Sequence, residues 1–533
     1  MQSLAIIERP YQFIQDLWLK KIFPVGTSNK NKVILTLSAA ISLILTQRIY
    51  RLFRPPASLR HLPSVNFFKL AYSILKREDP AVRVRKVFGP AMKKGNGIFA
   101  ANFPLKWSIY ISDPVAAKTL LMKNDIFPKT DDLLKALGDD NPIVQFFGTE
   151  NVAIVNGEKW KNQRKIMNPA FHRSLPVNTF GQLMLTGIKN IENNDHQVFI
   201  LDFFQRLTLD ALGKGVLGVD FEALTNPDSI WTSTYENVRV GLRNPLPFLF
   251  PFVDNHFRFL IPGRTKMVKA VQKLNTLILE MANERRQLVK ESMQDNSIPE
   301  SEKDLLTLML EAEERGEIKT DNDQLRSNLA LFFLAGHETT SNSMSFCLYH
   351  LARNKDIQEK ARQEVLKIMG DEPKDVLPTT DDIRQFEYID MILKENLRKN
   401  SPAGMLQGRK ALKDFELNGK LIPKDTIVIV DINSIHYNPD IWHNPDEFNP
   451  ERFAVGGEHE QHDGGAWLPF SSGSRQCIGL RFSLAEQRTF LAMLLRKFEW
   501  DIPENSVHKN GIRLNNFQFA APFDLDIKFT PRY

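Results

Sequence analysis

One cysteine of the chain stands in a setting that suits chemistry. Cys477 lies in the stretch FSSGSRQCIGLRF (residues 470–482), where small residues let the backbone approach a bound group closely. An apolar-periodic segment follows, and it predicts a helix whose first N–H groups point back at the loop. Those donors, with nearby Arg475, favour a thiolate, which serves as a nucleophile or a metal ligand. A lone cysteine is more often a small buried side chain, so other motifs must decide.

Two further patterns place side chains at helical spacing. Glu395 and Arg398 are three residues apart in MILKENLRKN, and Trp160 and Arg164 are four apart in EKWKNQRKI. Each pair therefore shares one face of a helix. Taken alone, the first pair reads as an ordinary surface ion pair and the second as an amphipathic helix with a snorkelling arginine.

The stretch AGHETT (residues 335–340) lies midway along an apolar-periodic segment, residues 321–354. A helix of that length would reach about 50 Å and cross a whole domain. Glycine inside a helix usually marks close packing, and threonine hydroxyls bond back to the carbonyl one turn earlier. On its own, the pattern fits a bent core helix.

Together these patterns resemble the cytochrome P450 family. Phe470, Gly473, Arg475, Cys477 and Gly479 fill every fixed position of the family's Phe-x-x-Gly-x-Arg-x-Cys-x-Gly loop. The resemblance implies haem b, with the Cys477 thiolate as the axial ligand of the iron. Four motifs occur in the family's order over residues 150–490, which makes coincidence an unsatisfactory explanation.

The resemblance also implies roles for residues at matching positions. It assigns proton delivery to bound dioxygen to Glu338 and Thr339. It also implies that Glu395 and Arg398 form a buried ion pair, which Arg452 of FNPERF completes. Haem contacts are implied for Trp160, Arg164, Arg409, Phe470, Arg475 and Gly479, the cationic ones facing propionates that would be costly to bury alone.

A lipophilic substrate is expected from the apolar positions predicted to lie near the haem, which are Phe332, Phe333, Ala335 and Met405. After Arg398 the chain departs from the family, because residues 399–402 read KNSP where an apolar residue and paired prolines are usual. In the family, that segment usually lines the substrate pocket.

The elements that must position these residues are mostly helices. Helical periodicity covers residues 321–354 and 483–498, whereas short strand signals over residues 415–430 predict a hairpin. The predicted class is mainly α with a small β part. The resemblance implies the cytochrome P450 fold, with a long central helix across the haem and a cysteine-ligand loop.

The N-terminal region predicts a membrane anchor. Residues 33–46, VILTLSAAISLILT, are flanked by lysines and arginines, and this run is shorter than the about 20 residues that a span usually needs. Extending this run to residue 53 would include arginines, whose charged ends would have to reach the membrane surface. A buried core helix and a cleaved signal are the alternatives. We expect residues 1–54 to form an N-terminal segment anchored around 33–53, and residues 55–533 to form the catalytic domain.

Residues 245–260, PLPFLFPFVDNHFRFL, are too rich in proline to form one regular helix. They are expected to be either core or an exposed apolar lip that touches membrane or substrate.

Composition limits the partners and the compartment. The 533 residues include 69 Lys and Arg against 63 Asp and Glu, without a long basic block, so nucleic acid is not an expected partner. Only two cysteines are present, which excludes a disulfide framework and favours a reducing compartment. With an anchor of this type, the resemblance implies NADPH–cytochrome P450 reductase as electron donor, cytochrome b5 as an optional second donor, and a cytosolic catalytic domain at the endoplasmic reticulum membrane.

The expected function is haem-thiolate monooxygenation, in which one oxygen atom from O2 enters a fatty acid, steroid or xenobiotic-like molecule. Two alternatives stay open. One is a haem-thiolate isomerase or dehydratase that uses hydroperoxides, which the Glu338–Thr339 pair disfavours. The other is a haem-binding sensor or carrier without oxygen chemistry.

Overall fold

The computed structural model describes residues 29–102, 106–172, 175–242, 251–292, 303–317, 321–462, 465–515 and 520–533, with the single positions 244 and 247. The chain divides into two compact units, residues 1–60 and 61–533. In the first unit, α1 (Asn29–Phe53) covers the predicted anchor, while residues 1–28 of the predicted N-terminal segment lie outside the described residues. Within the described part of the chain, no helix combines the length and apolar character needed to cross a membrane.

Helices dominate the second unit, as the sequence predicts. In chain order they are α2 (Phe67–Leu75), α3 (Pro80–Arg83), α4 (Gly89–Gly95), α5 (Pro114–Met122), α6 (Asp132–Leu137), α7 (Pro142–Phe147), α8 (Gly157–His172), α9 (Val177–Asn193), α10 (Ile200–Leu212), α11 (Ile230–Leu242), α12 (Pro251–Phe257), α13 (Arg264–Ser292), α14 (Leu305–Glu314), α15 (Asn322–Arg353), α16 (Lys355–Met369), α17 (Thr380–Gln385), α18 (Glu387–Lys399), α19 (Ile432–His436) and α20 (Leu480–Lys497). Two π-helical turns, Val84–Phe88 and Gly213–Leu217, continue α3 and α10.

The strands are short and form four small sheets. They are β1 (Ile98–Asn102), β2 (Trp107–Ile111), β3 (Gln197–Phe199), β4 (Arg409–Lys410), β5 (Phe415–Leu417), β6 (Lys420–Ile422), β7 (Ile427–Val430), β8 (Phe498–Asp501), β9 (Leu514–Asn515), β10 (Ala521–Pro522) and β11 (Asp526–Pro531). The sheets have the orders β1-β2-β7-β4, β3-β11-β8, β5-β6 and β10-β9. Among the strand pairs of the described residues, β2 and β7 alone are parallel.

The predicted hairpin over residues 415–430 is present in its first half. Leu417 pairs with Lys420, so Asn418 and Gly419 form a two-residue turn, both at positive φ (47° and 68°). Asn-Gly is the sequence that such a turn favours. β7 does not extend this hairpin but joins the four-stranded sheet between β2 and β4.

The long central helix is α15, and it is buried on nearly every side. Asp321 caps its N-terminus, where the side chain accepts a hydrogen bond from the Gln324 N–H at 2.7 Å. Hydroxyls buried in its second half bond back to the helix, for example Ser345 Oγ to the Ser341 carbonyl at 2.7 Å. Packing around the whole circumference explains why its sequence shows no clean polar face.

The predicted ion pair is buried together with a third member. Arg398 on α18 donates from Nε and NH2 to both carboxylate oxygens of Glu395, at 2.7 and 2.9 Å, and Arg452 Nε lies 3.4 Å from Oε1. Glu395 and Arg398 are both 0% exposed. Arg398 also donates to the carbonyl of His436 at 2.7 Å, so the triad ties α18 to α19.

Candidate haem site

The loop before α20 presents Cys477 to the interior. The Cys477 N–H donates to the Phe470 carbonyl at 2.9 Å, which closes the loop. Gly473 has φ +73°, and a Cβ there would lie 3.0 Å from the Leu121 carbonyl oxygen, so the loop requires glycine at this position. Gly479 differs, because its φ is −84° and a Cβ would meet nothing within 4 Å. Glycine at 479 therefore keeps space open beside the thiol.

The thiol of Cys477 faces a cavity of about 210 Å³. It is exposed to that cavity while lying deep inside the protein. Burial raises the pKa of the Cys477 thiol, whereas the N–H groups of Gly479 and Leu480 and the cations Arg164 and Lys129 lower it. The N-terminus of α20 and two positive side chains thus counteract the effect of burial on the thiol pKa and stabilise negative charge on the sulfur.

Two of the predicted haem contacts stack beside the loop. The Arg475 guanidinium lies 4.1 Å from the centre of the Trp160 ring and donates to the Val155 carbonyl at 2.6 Å. Arg164, one helical turn after Trp160 on α8, donates to the Gln476 carbonyl at 3.0 Å. Burial, then repulsion from Arg409 and Arg164, lowers the pKa of Arg475 to about 10.

Arg409 reaches the same region from the sheet. It lies on β4, donates to the Phe127 carbonyl at 3.1 Å and is 2% exposed, and its burial lowers the pKa of its guanidinium to about 10. Its backbone pairs with Lys129, which lines the cavity and which the sequence motifs did not point to. Burial, followed by Arg475 and Arg409, lowers the pKa of Lys129 to about 7.

This cationic wall fits a buried dianion. No residue of the described chain that lines the cavity carries a carboxylate, yet Lys129, Arg164 and Arg475 all line it. Converging cations without an anion are costly in a buried site, and two carboxylates of a bound group would offset them. The open space at Gly479, the thiol and this wall together fit a haem with its propionates. The sequence did not indicate Lys129 as a site residue, because its surroundings, IFPKT, belong to no motif.

The central helix supplies the wall opposite the thiol. Phe332, Ala335 and Thr339 line the cavity, and Thr339 Oγ1 donates to the Ala335 carbonyl at 2.8 Å. Gly336 lines it too, and a Cβ there would lie 2.6 Å from a Leu212 methyl group. The helix can therefore approach α10 closely at this turn.

Three predicted site residues lie elsewhere. Glu338 points to the other side of α15, where its Oε1 accepts a hydrogen bond from the Tyr235 hydroxyl at 3.1 Å. Phe333 packs on that side against Phe221, with ring centres 5.4 Å apart. Met405 is 41% exposed and borders a separate cavity of about 130 Å³.

Comparisons with known proteins agree with this geometry. The family model for cytochrome P450 matches residues 13–520. Human cytochrome P450 3A5 is 28% identical over 424 residues, which cover 76% of this chain and 78% of the relative. Cytochrome P450 4d2 of Drosophila melanogaster is 28% identical over 366 residues, covering 66% and 68%. The crystal structure of the cytochrome P450DA heme domain matches with a TM-score of 0.71 at 23% identity, covering 89% of this chain and 98% of the other, and supports the fold.

Fold and site define a haem-thiolate oxidoreductase, in which a cysteine thiolate ligates the haem iron. The chain belongs to the cytochrome P450 family, and it is a monooxygenase of that general kind.

Proposed function

We propose that this chain inserts one oxygen atom from O2 into a lipophilic substrate, with electrons from an NADPH-dependent reductase. One observation carries the proposal: the Cys477 thiol and the Thr339 hydroxyl line the same cavity, whose other walls are largely apolar. The apolar wall residues include Phe171, Leu212, Leu331, Phe332, Ala335 and Phe482. An apolar cavity with few polar groups favours a lipophilic ligand of the fatty-acid, steroid or xenobiotic kind.

The residues of the chain divide the work as follows. Cys477 would ligate the iron, and Trp160 with Arg164, Arg475, Arg409 and Lys129 would hold and orient the haem. Bound haem supplies the oxygen-activating chemistry. Thr339 holds a proton on Oγ1 at the cavity wall, and the phenylalanine side chains keep bulk water away from the reacting bond.

The ligand assignment is tested by the absorption spectrum of the reduced, carbon monoxide-bound protein. The parent chain should show the Soret band typical of thiolate ligation, and Cys477→His should lose it. Cys347→Ser, at a fully buried cysteine that does not line the cavity, is the control and should keep it. A thiolate-type band in Cys477→His would refute the assignment.

The substrate class is tested with a panel of fatty acids, sterols and aromatic compounds, scored by spectral shift on binding and by product mass. Product with one added oxygen, formed only with NADPH, reductase and O2, is the expected result. Turnover with a hydroperoxide and none with reductase would instead support the isomerase or dehydratase alternative.

The proposal extends to the membrane. Three side chains of the segment 245–260 that fall within the described residues are strongly exposed, namely Phe252 (66%), Phe259 (73%) and Leu260 (64%). Neighbouring apolar side chains that remain exposed indicate an interaction surface. We place the chain at the endoplasmic reticulum membrane, with α1 as a single-pass anchor, this lip against the bilayer and the catalytic unit in the cytosol. Residues 245–246 and 248–250 of the segment lie outside the described residues.

The lip predicts a measurable change in vesicle binding. Phe252→Ser, Phe259→Ser and Leu260→Ser, combined in a chain without the separate unit of residues 1–60 that contains α1, should lower the fraction that floats with phosphatidylcholine vesicles at least threefold. The control combines Leu412→Ser, Val455→Ser and Val507→Ser, which remove exposed apolar side chains elsewhere. Equal losses in both triple variants would contradict a specific role for the lip.

A further inference from the structure

A second cavity lies on the outer side of α15, beside Glu338. It measures about 360 Å³ and is bordered by α10, α11 and His337. Its rim is charged and reaches solvent, since the carboxylate-bearing side chains of Asp202 and Glu236 are 58% and 49% exposed and pair with Arg206 and Arg239. We call this cavity the outer cleft.

Tyr235 closes the inner end of the outer cleft. It is 4% exposed, its hydroxyl donates to Glu338 Oε1 at 3.1 Å, and its ring packs against Phe333 and His337 with ring centres 5.1 and 4.9 Å away. Burial and the adjacent Glu338 raise the pKa of Tyr235 well above its usual value, so the phenol remains a neutral donor. The carboxyl group of Glu338 is thus held on the cleft side of the helix.

Polar atoms around this contact lack protein partners. Gln205 Nε2, on the wall of the outer cleft, and both amide atoms of Asn342, one helical turn beyond Glu338, find no hydrogen-bond partner among the described residues. Asn342 is 0% exposed and Gln205 is 9% exposed. Buried polar groups of this kind are normally satisfied by internal water. These positions indicate water on the Glu338 face of α15.

We propose that the outer cleft is the entry route for the protons consumed at the haem cavity, with Tyr235 as the residue that positions Glu338. Water in the cleft gives a proton to the Glu338 carboxylate. From there the proton follows the Glu338–Thr339 pair to which the family resemblance already assigns proton delivery: the side chain rotates, and the Thr339 hydroxyl accepts the proton as it releases its own into the cavity. The outer cleft and Tyr235 supply and position the acid of that pair. Glu338 returns as a carboxylate, so one proton enters for each proton delivered. The route rests on the oxygenase chemistry of the proposed function.

The first test removes the positioning hydroxyl. Tyr235→Phe keeps the ring packing. Tyr349→Phe is the matched control, because it also removes the hydroxyl of a buried tyrosine. Tyr349 lies eleven residues beyond Glu338 on α15, and its hydroxyl contacts the backbone of Ile512 instead. NADPH consumption by the haem-loaded protein with reductase, without added organic substrate, is compared in H2O and D2O. The solvent isotope effect should at least double in Tyr235→Phe and stay at the parent value in Tyr349→Phe. Parent values in both would overturn the proposal.

The second test needs no turnover. The antisymmetric carboxylate stretch of Glu338, assigned from its loss in Glu338→Gln, should shift in Tyr235→Phe because the group loses a hydrogen bond to one of its oxygens. An unchanged band overturns the positioning role. Failure of the reductase to reduce the parent chain would count against the proposed electron donor. In that case the infrared band alone tests whether Tyr235 positions Glu338.

The third test fills the cleft without touching the Tyr235–Glu338 contact. Ser233→Trp places an indole at the exposed wall of the outer cleft, and Val240→Trp, exposed on the same helix but outside the cleft, is its control. Ser233→Trp should raise the solvent isotope effect as Tyr235→Phe does. Equal values in the two tryptophan variants would overturn the cleft as the route.

Discussion

At the scale of single residues, the two glycines beside Cys477 answer different physical demands. Gly473 adopts φ +73° against the Leu121 carbonyl, whereas Gly479 has an ordinary φ and an empty neighbourhood. Position 473 needs glycine because of its backbone conformation. Position 479 needs it because a larger side chain would occupy space in the cavity. A single sequence cannot separate these two cases, because both positions appear in it simply as glycine.

The two glycines therefore predict opposite phenotypes. Gly473→Ala should destabilise the protein by about 1–2 kcal/mol, since a Cβ in the left-handed region is strained. Gly479→Val should leave the free energy of unfolding within about 0.5 kcal/mol and lower the haem content per chain, because its side chain enters the cavity. Denaturant unfolding and haem absorbance per chain measure the two effects. Similar losses of stability in both variants would contradict this distinction.

Residue identity was easier to predict than the direction a side chain takes. Glu338 and Thr339 were both expected at the haem, as were Phe332 and Phe333. Neighbours on a helix point about 100° apart, and the haem cavity is lined by one face of α15 that includes Phe332 and Thr339. Phe333 and Glu338 fall beyond the edges of that face, so only one member of each pair reaches the cavity. Because α15 is buried all round, its sequence carries no polar face from which the rotation of the helix could be read.

At the scale of elements, the buried triad of Glu395, Arg398 and Arg452 holds the helices behind the cysteine loop. One carboxylate faces two guanidinium groups, and Glu395 Oε1 also accepts the Asn449 N–H at 3.0 Å. His436, whose carbonyl accepts from Arg398, also accepts the Leu468 N–H on Nε2 at 3.1 Å. The triad is therefore connected to the chain that enters the Cys477 loop.

Removing the charge of the central carboxylate should be strongly destabilising. Glu395→Gln leaves the buried Arg398 guanidinium without a counter-charge, while Arg452 keeps only its pairing with Glu458. We expect a loss of about 3–5 kcal/mol in the free energy of unfolding. Asp381→Asn is the matched control, since Asp381 and Arg384 have the same three-residue spacing but are 84% and 73% exposed. That change should cost less than about 1 kcal/mol. Urea unfolding of both variants tests the difference, and equal costs would contradict it.

Elements with strong local signals were predicted well, and those defined by long-range pairing were not. The Asn418–Gly419 turn and the length of α15 follow from local sequence. The assignment of β7 to a different sheet, and the pairing of Lys129 with Arg409, join segments far apart in the chain. No local pattern encodes such contacts, so Lys129 became visible as a site residue only in the fold.

At the scale of the whole molecule, the proposed reductase needs a docking surface close to Cys477. Helix α8 links the surface to the site, because it carries Arg164 to the Gln476 carbonyl beside Cys477 and also bears exposed Lys161 and Lys165. Lys161 pairs only with the exposed Glu158 of its own helix among its described ion pairs. A basic surface this close to the thiol suits an acidic redox partner, whose approach it would accelerate by long-range attraction.

Charge reversal on this surface tests the docking site. Lys161→Glu with Lys165→Glu should slow reductase-driven reduction of the haem at least tenfold at low ionic strength, because attraction becomes repulsion. The difference should shrink as salt rises, since the screening length falls to about 10 Å near 0.1 M. Lys266→Glu with Lys269→Glu, exposed on α13, makes the same change in net charge and should be nearly neutral. Chemical reduction by dithionite should not distinguish the variants, which separates a docking defect from a damaged haem site. Equal slowing by both pairs would indicate an effect of net charge and would place the reductase contact elsewhere.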